Sequence, residues 1–376
     1  MRITVLDSLA DIDPKVWDAM AGGDPFLKHG FLHGLEVTDC LAPQGWYPQH
    51  LAVYDDDVLR GALPLYVRDN SYGEFVFDWS WADAFERAGG RYYPKLVTAI
   101  PFAPVTGRRL LIDPHAEDRA QISELMVGAG VRACDDNGMS SWHCLFPEPD
   151  ELASFETAGL LTRLGCQYHW FNHDYTDFDD FLAALTSKKR KQIKRERRKV
   201  CEQDLEIEVL VGDDIKADHW SIFHRFYCST FYRKWGEPRL TELFFQTLNE
   251  RLPGAPMLLL ASAGGEYFAG AFALVGQDTL YGRHWGCSAS RDNLHFELCY
   301  YQTIEYCIRH GLKRLDAGAQ GEHKLARGFI PVSTWSMHWI RDTGFRRAVG
   351  EFVNRERQAL EQHMRMLEAH VAFRQD

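Results

Sequence analysis

The sequence predicts an α/β (α+β) protein with two similar lobes, each a mixed, mostly antiparallel sheet flanked by helices, followed by a long C-terminal helix. The chain of 376 residues is longer than a single domain with one hydrophobic core usually is. The composition, 45% hydrophobic and 25% charged, is globular. A stretch of the first half also recurs in the second. The predicted ranges are 1–165 and 166–344 for the lobes and 345–376 for the helix.

The recurrence relates residues 51–73 to residues 260–282 at an offset of 209. Eight of these 23 positions are identical, where typical residue frequencies give about one or two. Each copy alternates apolar runs with polar or glycine turns, which predicts a meander of three strands. Gly61 and Gly270 align inside the strand pattern, where glycine indicates a bulge or a close backbone approach.

The other segments are predicted from periodicity and capping residues. The predicted helices are 120–136, 178–185, 186–200, 218–230, 240–252, 296–310 and 345–373. The predicted strands are 139–146, 168–175 and 314–318. Gly311 is expected to end the helix before it, and Thr186 with Ser187 to begin the helix at 186. The first half carries about 36 additional residues, assigned to an aromatic segment near 79–104.

The charge distribution is uneven. The net charge is −11, yet residues 188–199 hold nine positive charges and one negative. On a helix, this run forms a basic strip that includes Lys188, Lys191, Lys194, Arg195 and Arg198. Such a strip suits the phosphates of a diphosphate-linked precursor or of tRNA, and the alternative is a solvated helix face. The acidic remainder disfavours general nucleic-acid binding.

Several classes of protein are disfavoured by the sequence. The first residues lack the apolar core of a signal peptide, and no stretch approaches the ~18 apolar residues of a membrane helix. The nine cysteines are scattered without a Cys-x-x-Cys pair, which predicts reduced thiols and no metal site. We therefore expect a cytoplasmic protein that does not insert into a membrane.

Six segments resemble proteins of the FemAB-like group described as peptidoglycan biosynthesis/recognition. These segments are 71–82 (SYGEFVFDWSWA), 92–96 (YYPKL), 101–110 (PFAPVTGRRL), 167–170 (QYHW), 294–301 (LHFELCYY) and 318–328 (GAQGEHKLARG). The resemblance implies two tandem GNAT-like lobes and the transfer of an acyl group to nitrogen. In the relatives to which this resemblance points, the donor is an aminoacyl-tRNA and the acceptor is an amine of a peptidoglycan precursor.

The donor is left open between aminoacyl-tRNA and acyl-CoA, and no other cofactor is expected. Coenzyme-A-using members of the superfamily carry a glycine-rich loop whose backbone N–H groups hold the pyrophosphate. The nearest string here, Arg283–Ser288 (RHWGCS), lacks the final small pair in register. This departure disfavours an ordinary acetyl-CoA site.

The strongest catalytic candidates lie in residues 318–331, where polar groups and glycines follow a predicted strand. They are Glu322, His323, Lys324 and Arg327. A Lys or Arg can stabilise the developing oxyanion, and a His or Glu can take the proton of the amine. The resemblance implies a functional lysine in this region, a role left open between Lys324 and Arg327. The alternative is a charged surface turn.

Two further sets are candidates for substrate binding. In the second half they are Tyr281, Arg283, Trp285, His295 and Glu297, where an arginine among rings suits a phosphate or carboxylate. In the first half they are Trp79, Trp81 and Lys95, which suit a sugar or a nucleotide. Ordinary packing is the alternative for both sets.

The sequence therefore predicts an N-acyl or aminoacyl transferase that forms an amide on a small-molecule amine or a cell-wall precursor, with tRNA as a candidate donor. Two alternatives remain: an acyl-CoA-dependent N-acyltransferase with a degenerate phosphate loop, and a non-catalytic module that binds a cell-wall precursor or nucleic acid. The oligomeric state and the number of active lobes are open.

Overall fold

The computed structural model describes residues 1–233, 236–319, 321–368 and 371–374. It divides the chain into two compact units. Unit 1 comprises Met1–Cys166 and Ser333–His363, and unit 2 comprises Gln167–Val332 and Met364–Asp376. The segment Ser333–His363 thus groups with the first unit, although sequence analysis divided it between the second lobe and the C-terminal helix.

Unit 1 contains most of the elements up to the middle of β9. The strands are β1 (Arg2–Leu6), β2 (Trp46–Pro48), β3 (His50–Asp55), β4 (Val58–Leu63), β5 (Tyr66–Arg68), β6 (Lys95–Thr98), β7 (Leu111–Ile112), β8 (Ser141–Leu145) and β9 (Leu161–Phe171). The helices are α1 (Pro14–Ala21), α2 (His29–Val37), α3 (Trp79–Arg87), α4 (Arg119–Asp136) and α5 (Leu152–Thr157).

The strands of unit 1 form two sheets. In one, the order is β1-β3-β4-β7 and every pair is antiparallel. In the other, β2, β5 and β6 are antiparallel neighbours and β6 runs parallel to β8. Helix α4 packs on the first sheet, where its Ile122 and Met126 join the main hydrophobic core of the unit.

Unit 2 contains the elements from α6 onward, apart from the segment that returns to unit 1. They are α6 (Phe178–Ala184), α7 (Ser187–Cys201), β10 (Glu206–Val211), α8 (Ala217–Tyr232), α9 (Glu242–Arg251), β11 (Pro256–Ala263), β12 (Glu266–Val275), β13 (Thr279–Cys287), α10 (Leu294–Phe296), α11 (Gln302–Arg309) and β14 (Arg314–Asp316). Strand β15 (Ile330–Ile340) and helix α12 (Thr343–Glu368) complete the chain.

The sheet of unit 2 opens at one point, and this opening positions the candidate site. Strands β10 to β13 form an antiparallel series, and β14 runs parallel to β13. The parallel pairing covers only Thr279–Tyr281 of β13 because β14 ends at Asp316. Strand β13 continues to Cys287 without it, which leaves a space beside the end of β14.

The structure confirms the predicted α/β (α+β) class, with sheets flanked by helices and a long C-terminal helix. The predicted helices are all present, with ends that differ by a few residues. Gly311 has φ +67° and follows α11 as predicted. Thr186 is the N-cap residue of α7 as predicted, and its side chain makes no capping hydrogen bond.

The meander prediction is confirmed in the second copy and wrong for the third strand of the first. In unit 2, β11, β12 and β13 are consecutive antiparallel neighbours. In unit 1, β3 and β4 pair, but β5 pairs with β2 and β6 instead. Pro64 lies between β4 and β5, and proline has no N–H with which to extend a ladder.

The aligned glycines lie where a neighbouring side chain approaches the strand. A Cβ on Gly61 would lie 2.6 Å from Ile122, and one on Gly270 would lie 2.9 Å from Leu260 and 3.2 Å from Phe223. A register shift also occurs close to each of them. The predicted close approach is therefore confirmed at both positions.

Two glycines of helix α4 provide a matched test of this packing. A Cβ on Gly130 would lie 2.6 Å from the buried Trp142 ring, whereas one on Gly128 would meet only the flexible end of Arg132 at 3.3 Å. We expect Gly128→Ala to raise the free energy of unfolding by up to ~1 kcal/mol through helix propensity. We expect Gly130→Ala to lower it by ~1–3 kcal/mol through overpacking. Urea unfolding measures both, and equal effects would contradict the packing at Trp142.

Candidate active site

The candidate site is built on the turn that follows β14. Residues Glu322–Arg327 form a 3₁₀ turn between Gly321 and Gly328, which have φ +110° and +86°. A Cβ on Gly321 would lie 2.3 Å from the His323 ring, so glycine allows that ring to fold back over the chain. Gln320, also part of the predicted segment, lies outside the described residues.

Lys324 is the buried cation of this turn, with 1% of its surface exposed. Its Nζ donates hydrogen bonds to the carbonyl oxygens of Ala317 (2.7 Å) and Gly318 (2.6 Å). These bonds use two of the three N–H groups of the ammonium. Burial lowers the pKa of Lys324 to about 8, because the opposing effect of Asp316 does not outweigh desolvation and the nearby Arg283. The ammonium form still predominates at neutral pH.

Arg327 is held by a buried ion pair. Its Nη2 donates to both carboxylate oxygens of Glu196, at 3.1 and 2.9 Å, and its Nε donates to the Tyr301 hydroxyl at 3.1 Å. The Tyr301 hydroxyl in turn donates to Glu196. Nη1 of Arg327 donates to the His323 carbonyl oxygen at 2.8 Å. The guanidinium therefore clamps helix α7 to the turn, and of the two cations it is the more fully engaged.

His323 lies on the surface of the turn beside a second histidine. Its Nε2 is 2.9 Å from the Tyr300 hydroxyl, and its ring centroid is 6.3 Å from that of His295. Burial, with Arg327 and Lys324 nearby, lowers the pKa of His323, and burial with the same cations lowers the pKa of His295 to about 4. Both imidazoles are therefore neutral at pH 7, and His323 is an exposed acceptor for a proton. Glu322, beside it, is also exposed.

A cavity of about 90 Å³ lies beside this turn, in the space opened beyond β14. Its lining is mostly neutral and comes from β11, β12, β13, α11 and the residues before it. The lining residues that belong to the predicted site are Arg283, Trp285 and His295, and others are His284, Cys299, Tyr300, Thr303 and Ala317. Because Lys324 donates to the carbonyl of Ala317, its ammonium lies next to this wall.

Arg283 is paired within the protein. Its two Nη atoms donate to Asp316 at 3.2 and 2.9 Å, and its guanidinium lies 5.4 Å from the ring of the buried Tyr281. Burial alone would raise the pKa of the Asp316 carboxyl, but Arg283 and His169 hold that pKa well below its usual range. A register shift opposite Phe272 makes Arg283 the extra residue of a bulge. Arg283 therefore fixes the end of β14.

Glu297 lies in a π-helical turn, Glu297–Tyr301, between α10 and α11. Its Oε1 accepts hydrogen bonds from Arg197 (3.2 Å) and Gln302 (2.8 Å). Its Oε2 is buried and has no hydrogen-bond partner among the described residues. The π turn places Tyr300 toward His323 and Tyr301 toward Glu196, and such turns occur frequently at functional sites.

The candidates of the first half do not form one cleft wall. Trp79 is half exposed, whereas Trp81 is buried against Val349 and Val353. Lys95 is fully buried, and its Nζ donates to Ser71, Glu74 and Asp78 at 2.8, 2.8 and 2.5 Å. The structure thus gives Lys95 a structural environment and leaves Trp79 at the surface.

The five residues of the basic strip are all exposed, on the outer side of α7. Lys194 pairs with Asp179 at 2.9 Å and Arg198 with Glu202 at 3.6 Å. No carboxylate of the described residues lies within 4 Å of the charged groups of Lys188, Lys191 or Arg195. The inner side of the same helix carries Ile193, Glu196 and Val200, all buried.

Sequence analysis missed the residues that hold the site together. Glu196 is the single acid in the basic run, and its isolation was the signal that it faces inward. Asp316 follows an apolar residue in a short strand and carries no such signal. Tyr300 and Tyr301 were included only as part of a resembling segment. Nothing in their spacing shows that a π turn points their side chains toward different partners.

The sheets flanked by helices, with the candidate site at the opening of a parallel strand pair, define a GNAT-like fold. The chain belongs to the FemAB-like family, described as peptidoglycan biosynthesis/recognition, whose sequence profile matches residues 8–375. The predicted family is therefore confirmed. The comparison with curated proteins finds no match.

Solved structures agree with this assignment at the level of the fold. A structure of FemX matches with a TM-score of 0.57 and 12% identity, over 93% of this chain and 100% of the other. L-PGS from Bacillus licheniformis matches with a TM-score of 0.53 and 11% identity, over 96% and 98%. The C-terminal domain of a putative lysylphosphatidylglycerol synthetase from Agrobacterium fabrum matches with a TM-score of 0.53 and 9% identity, over 90% and 95%.

In the part of the chain that the structure describes, none of the helices is both long and apolar enough to span a membrane. Nor do three or more His, Cys, Asp or Glu side chains come together there in an arrangement that suits a metal ion.

The lowered pKa of Lys324 predicts how stability depends on pH. Between pH 8 and the pKa of an unfolded lysine, ~10.4, the unfolded chain holds a proton that the folded protein has released, so stability rises with pH. In this window we expect the free energy of unfolding of the wild type to rise relative to Lys324→Met by up to ~1.4 kcal/mol per pH unit. Urea unfolding at several pH values measures the difference.

The control is a substitution of the exposed Lys313. The free energy of unfolding of Lys313→Met should change with pH as that of the wild type does. Parallel curves for the wild type and Lys324→Met would show that the Lys324 pKa is not lowered by folding.

Proposed function

We propose that the protein is an N-acyl or aminoacyl transferase that forms an amide on an amine acceptor, with a cell-wall precursor as the acceptor. The assignment to a family described as peptidoglycan biosynthesis/recognition supports a cell-wall precursor as the acceptor. One observation carries the chemical part of the proposal. A buried ammonium with a lowered pKa donates to Ala317, an exposed neutral imidazole contacts Tyr300, and both Ala317 and Tyr300 line the same small cavity. Acyl transfer to nitrogen needs these two groups.

The proposed step uses Lys324 and His323 in different roles. The nitrogen of the acceptor attacks the carbonyl carbon of the donor, and a C–N bond forms while negative charge develops on the carbonyl oxygen. The third N–H of Lys324 stabilises this oxyanion. His323 takes the proton of the attacking nitrogen, with Glu322 as the alternative base. The bond from the carbonyl carbon to the leaving group then breaks, and the leaving group takes up a proton.

The cavity suits an acyl donor whose side chain is small and uncharged. Its volume of about 90 Å³ has room for only a few non-hydrogen atoms. Its two histidines are neutral at pH 7, because burial lowers the pKa of His284 to about 3 and that of His295 to about 4. Arg283 is already paired with Asp316. A charged side chain would therefore be desolvated here without a counter-ion.

We propose aminoacyl-tRNA as the donor rather than acyl-CoA. A pyrophosphate loop needs free backbone N–H groups at the start of a helix. Most of Arg283–Ser288 lies within strand β13, and the N–H of Ser288 donates to the Phe268 carbonyl at 2.8 Å. The connection at residues 288–293 has no glycine that would let the backbone approach a pyrophosphate closely. The exposed basic strip of α7 supplies phosphate contacts instead.

Product formation tests the enzymatic proposal. The protein is incubated with a UDP-linked peptide precursor and either charged tRNA or acyl-CoAs, and the amide product is detected by mass spectrometry. We expect product with charged tRNA, and a 10²–10³-fold lower kcat for Lys324→Ala, the usual effect of removing one oxyanion donor. The exposed Lys313 again provides the control, and Lys313→Ala should retain activity within about twofold.

Full activity of Lys324→Ala would remove Lys324 from the mechanism. Product with acyl-CoA alone would make the protein a coenzyme-A-dependent transferase. Binding of the precursor without product from any donor would favour the non-catalytic binding module.

The basic strip makes a separate prediction about salt dependence. We expect tRNA to bind the wild type with an affinity that falls with salt, and the triple variant Lys188→Gln/Lys191→Gln/Arg195→Gln to reduce the slope of log K against log[salt] by roughly 2. Fluorescence anisotropy with labelled tRNA measures the slopes. The control is Arg347→Gln/Arg355→Gln/Arg365→Gln, which removes the same charge from exposed positions of α12.

Equal losses in the two triple variants would show that only net charge matters. An unchanged slope in the strip variant would show that tRNA does not contact α7.

A further inference from the structure

Unit 1 presents three aromatic rings to solvent on one short segment. Tyr72, Phe77 and Trp79 are 61%, 52% and 48% exposed, and we call them the aromatic platform. Phe and Trp rings are mostly buried on average, so three large rings exposed together on one short segment point to a contact with a ligand or a partner. The transferase proposal does not use this platform.

The rings are arranged around Trp79. Its centroid lies 5.9 Å from that of Tyr72 and 5.1 Å from that of Phe77, and the ring planes are tilted by 54° and 39°. Rings tilted in this way contact one another without stacking flat, so none of the three lies face to face on its neighbour.

Two fully buried cations hold the segment that carries the platform. Lys95 donates to Ser71, Glu74 and Asp78. Arg68 donates to Glu74 at 3.2 Å and to the Tyr72 carbonyl oxygen at 2.7 Å. These bonds tie down the segment on both sides of Tyr72 and immediately before Trp79.

The fixed segment is also conformationally costly. Phe75, between the anchors, has φ +63°, a conformation that bulky residues rarely adopt. A segment that only needed to cover the core would not require three exposed rings, an unfavourable φ and two buried cations. Holding the rings in place before a ligand arrives lowers the entropy lost on binding.

The charges around the platform disfavour an anionic ligand. The cations that hold or adjoin the platform segment are paired with carboxylates: Arg68 with Glu74, Lys95 with Glu74 and Asp78, Arg87 with Asp83, and Arg163 with Glu356. The exposed Asp69 precedes the segment in the chain and adds negative charge. An anionic ligand would therefore find the charge of these cations already balanced.

The size of the platform disfavours a protein partner. At about half exposure, three aromatic side chains offer roughly 300 Å². A specific protein interface needs about 800 Å² on each side. A single sugar ring is of the right size, because its C–H face packs on an aromatic face while its hydroxyls stay hydrated.

We infer that the aromatic platform of unit 1 binds a neutral pyranose sugar of a glycan. The sugar stacks on Trp79 with Tyr72 and Phe77 at its sides. This inference concerns binding alone and does not depend on whether unit 2 transfers an acyl group.

The test is isothermal titration calorimetry of the full chain with a tetramer of N-acetylglucosamine and, separately, with cellotetraose. We expect saturable binding of at least one oligosaccharide, and about tenfold weaker binding by Trp79→Ala, as for other aromatic hot spots. Trp79→Phe keeps a ring and should retain most of the affinity. Tyr232→Ala is the control, because Tyr232 is 65% exposed in unit 2 and should not affect binding.

Thermal melting of each variant shows whether it is folded, and exposed rings can be removed with little loss of stability. The absence of saturable binding by folded wild-type protein would overturn the inference. So would binding that Trp79→Ala leaves unchanged. A dimer in sedimentation velocity, or binding to phosphatidylcholine vesicles, that Trp79→Ala abolishes would assign the platform to a second copy or to a bilayer instead.

Discussion

The buried ion pair between Glu196 and Arg327 is the interaction on which the candidate active site depends. Two ions are taken out of water, and only close geometry offsets this cost. That geometry is present, with both carboxylate oxygens bonded to Arg327 Nη2 and the Tyr301 hydroxyl shared between the partners. Loss of one partner from such a pair typically costs about 3–5 kcal/mol, because the other ion stays buried.

This pair also determines where the basic strip lies. Glu196 is on the inner side of α7, so its bond to Arg327 directs the strip outward. Arg197, next along the helix, pairs with Glu297 and Glu305 and fixes the rotation of α7 against the π turn. A single acid in a run of nine cations thus anchors the inner side of α7 and leaves the basic residues on the exposed side.

The sequence predicted what local pattern and repetition determine, and it missed what tertiary pairing determines. Helical periodicity and capping were enough for α4, α7 and the glycine after α11. The hairpin of the first copy was predicted, but the third strand, β5, pairs with β2 and β6 instead. Pro64 ends the pairing after β4, and the strands that β5 then joins are distant in sequence, so local pattern does not identify them. At the site, the segment 322–327 was found from its density of polar groups and glycines. The partners Glu196, Asp316 and Tyr301 are distant in sequence, and no alternation or spacing links them to it.

Two buried lysines show why residue type alone could not separate structure from chemistry. Lys95 and Lys324 are equally hidden, at 0% and 1% exposure, and both were chosen as candidates. Burial lowers the pKa of each, but the carboxylates of Glu74 and Asp78 reverse this effect for Lys95 and raise its pKa. All three acceptors of Lys95 are side chains of one segment, so its hydrogen bonds are used in holding that segment. Lys324 meets two neutral carbonyls, which stabilise its charge less, and the bonds they accept leave one N–H for another acceptor. A lysine that is incompletely satisfied in the free protein gains most from negative charge that develops nearby, and this is the property that stabilisation of an oxyanion requires.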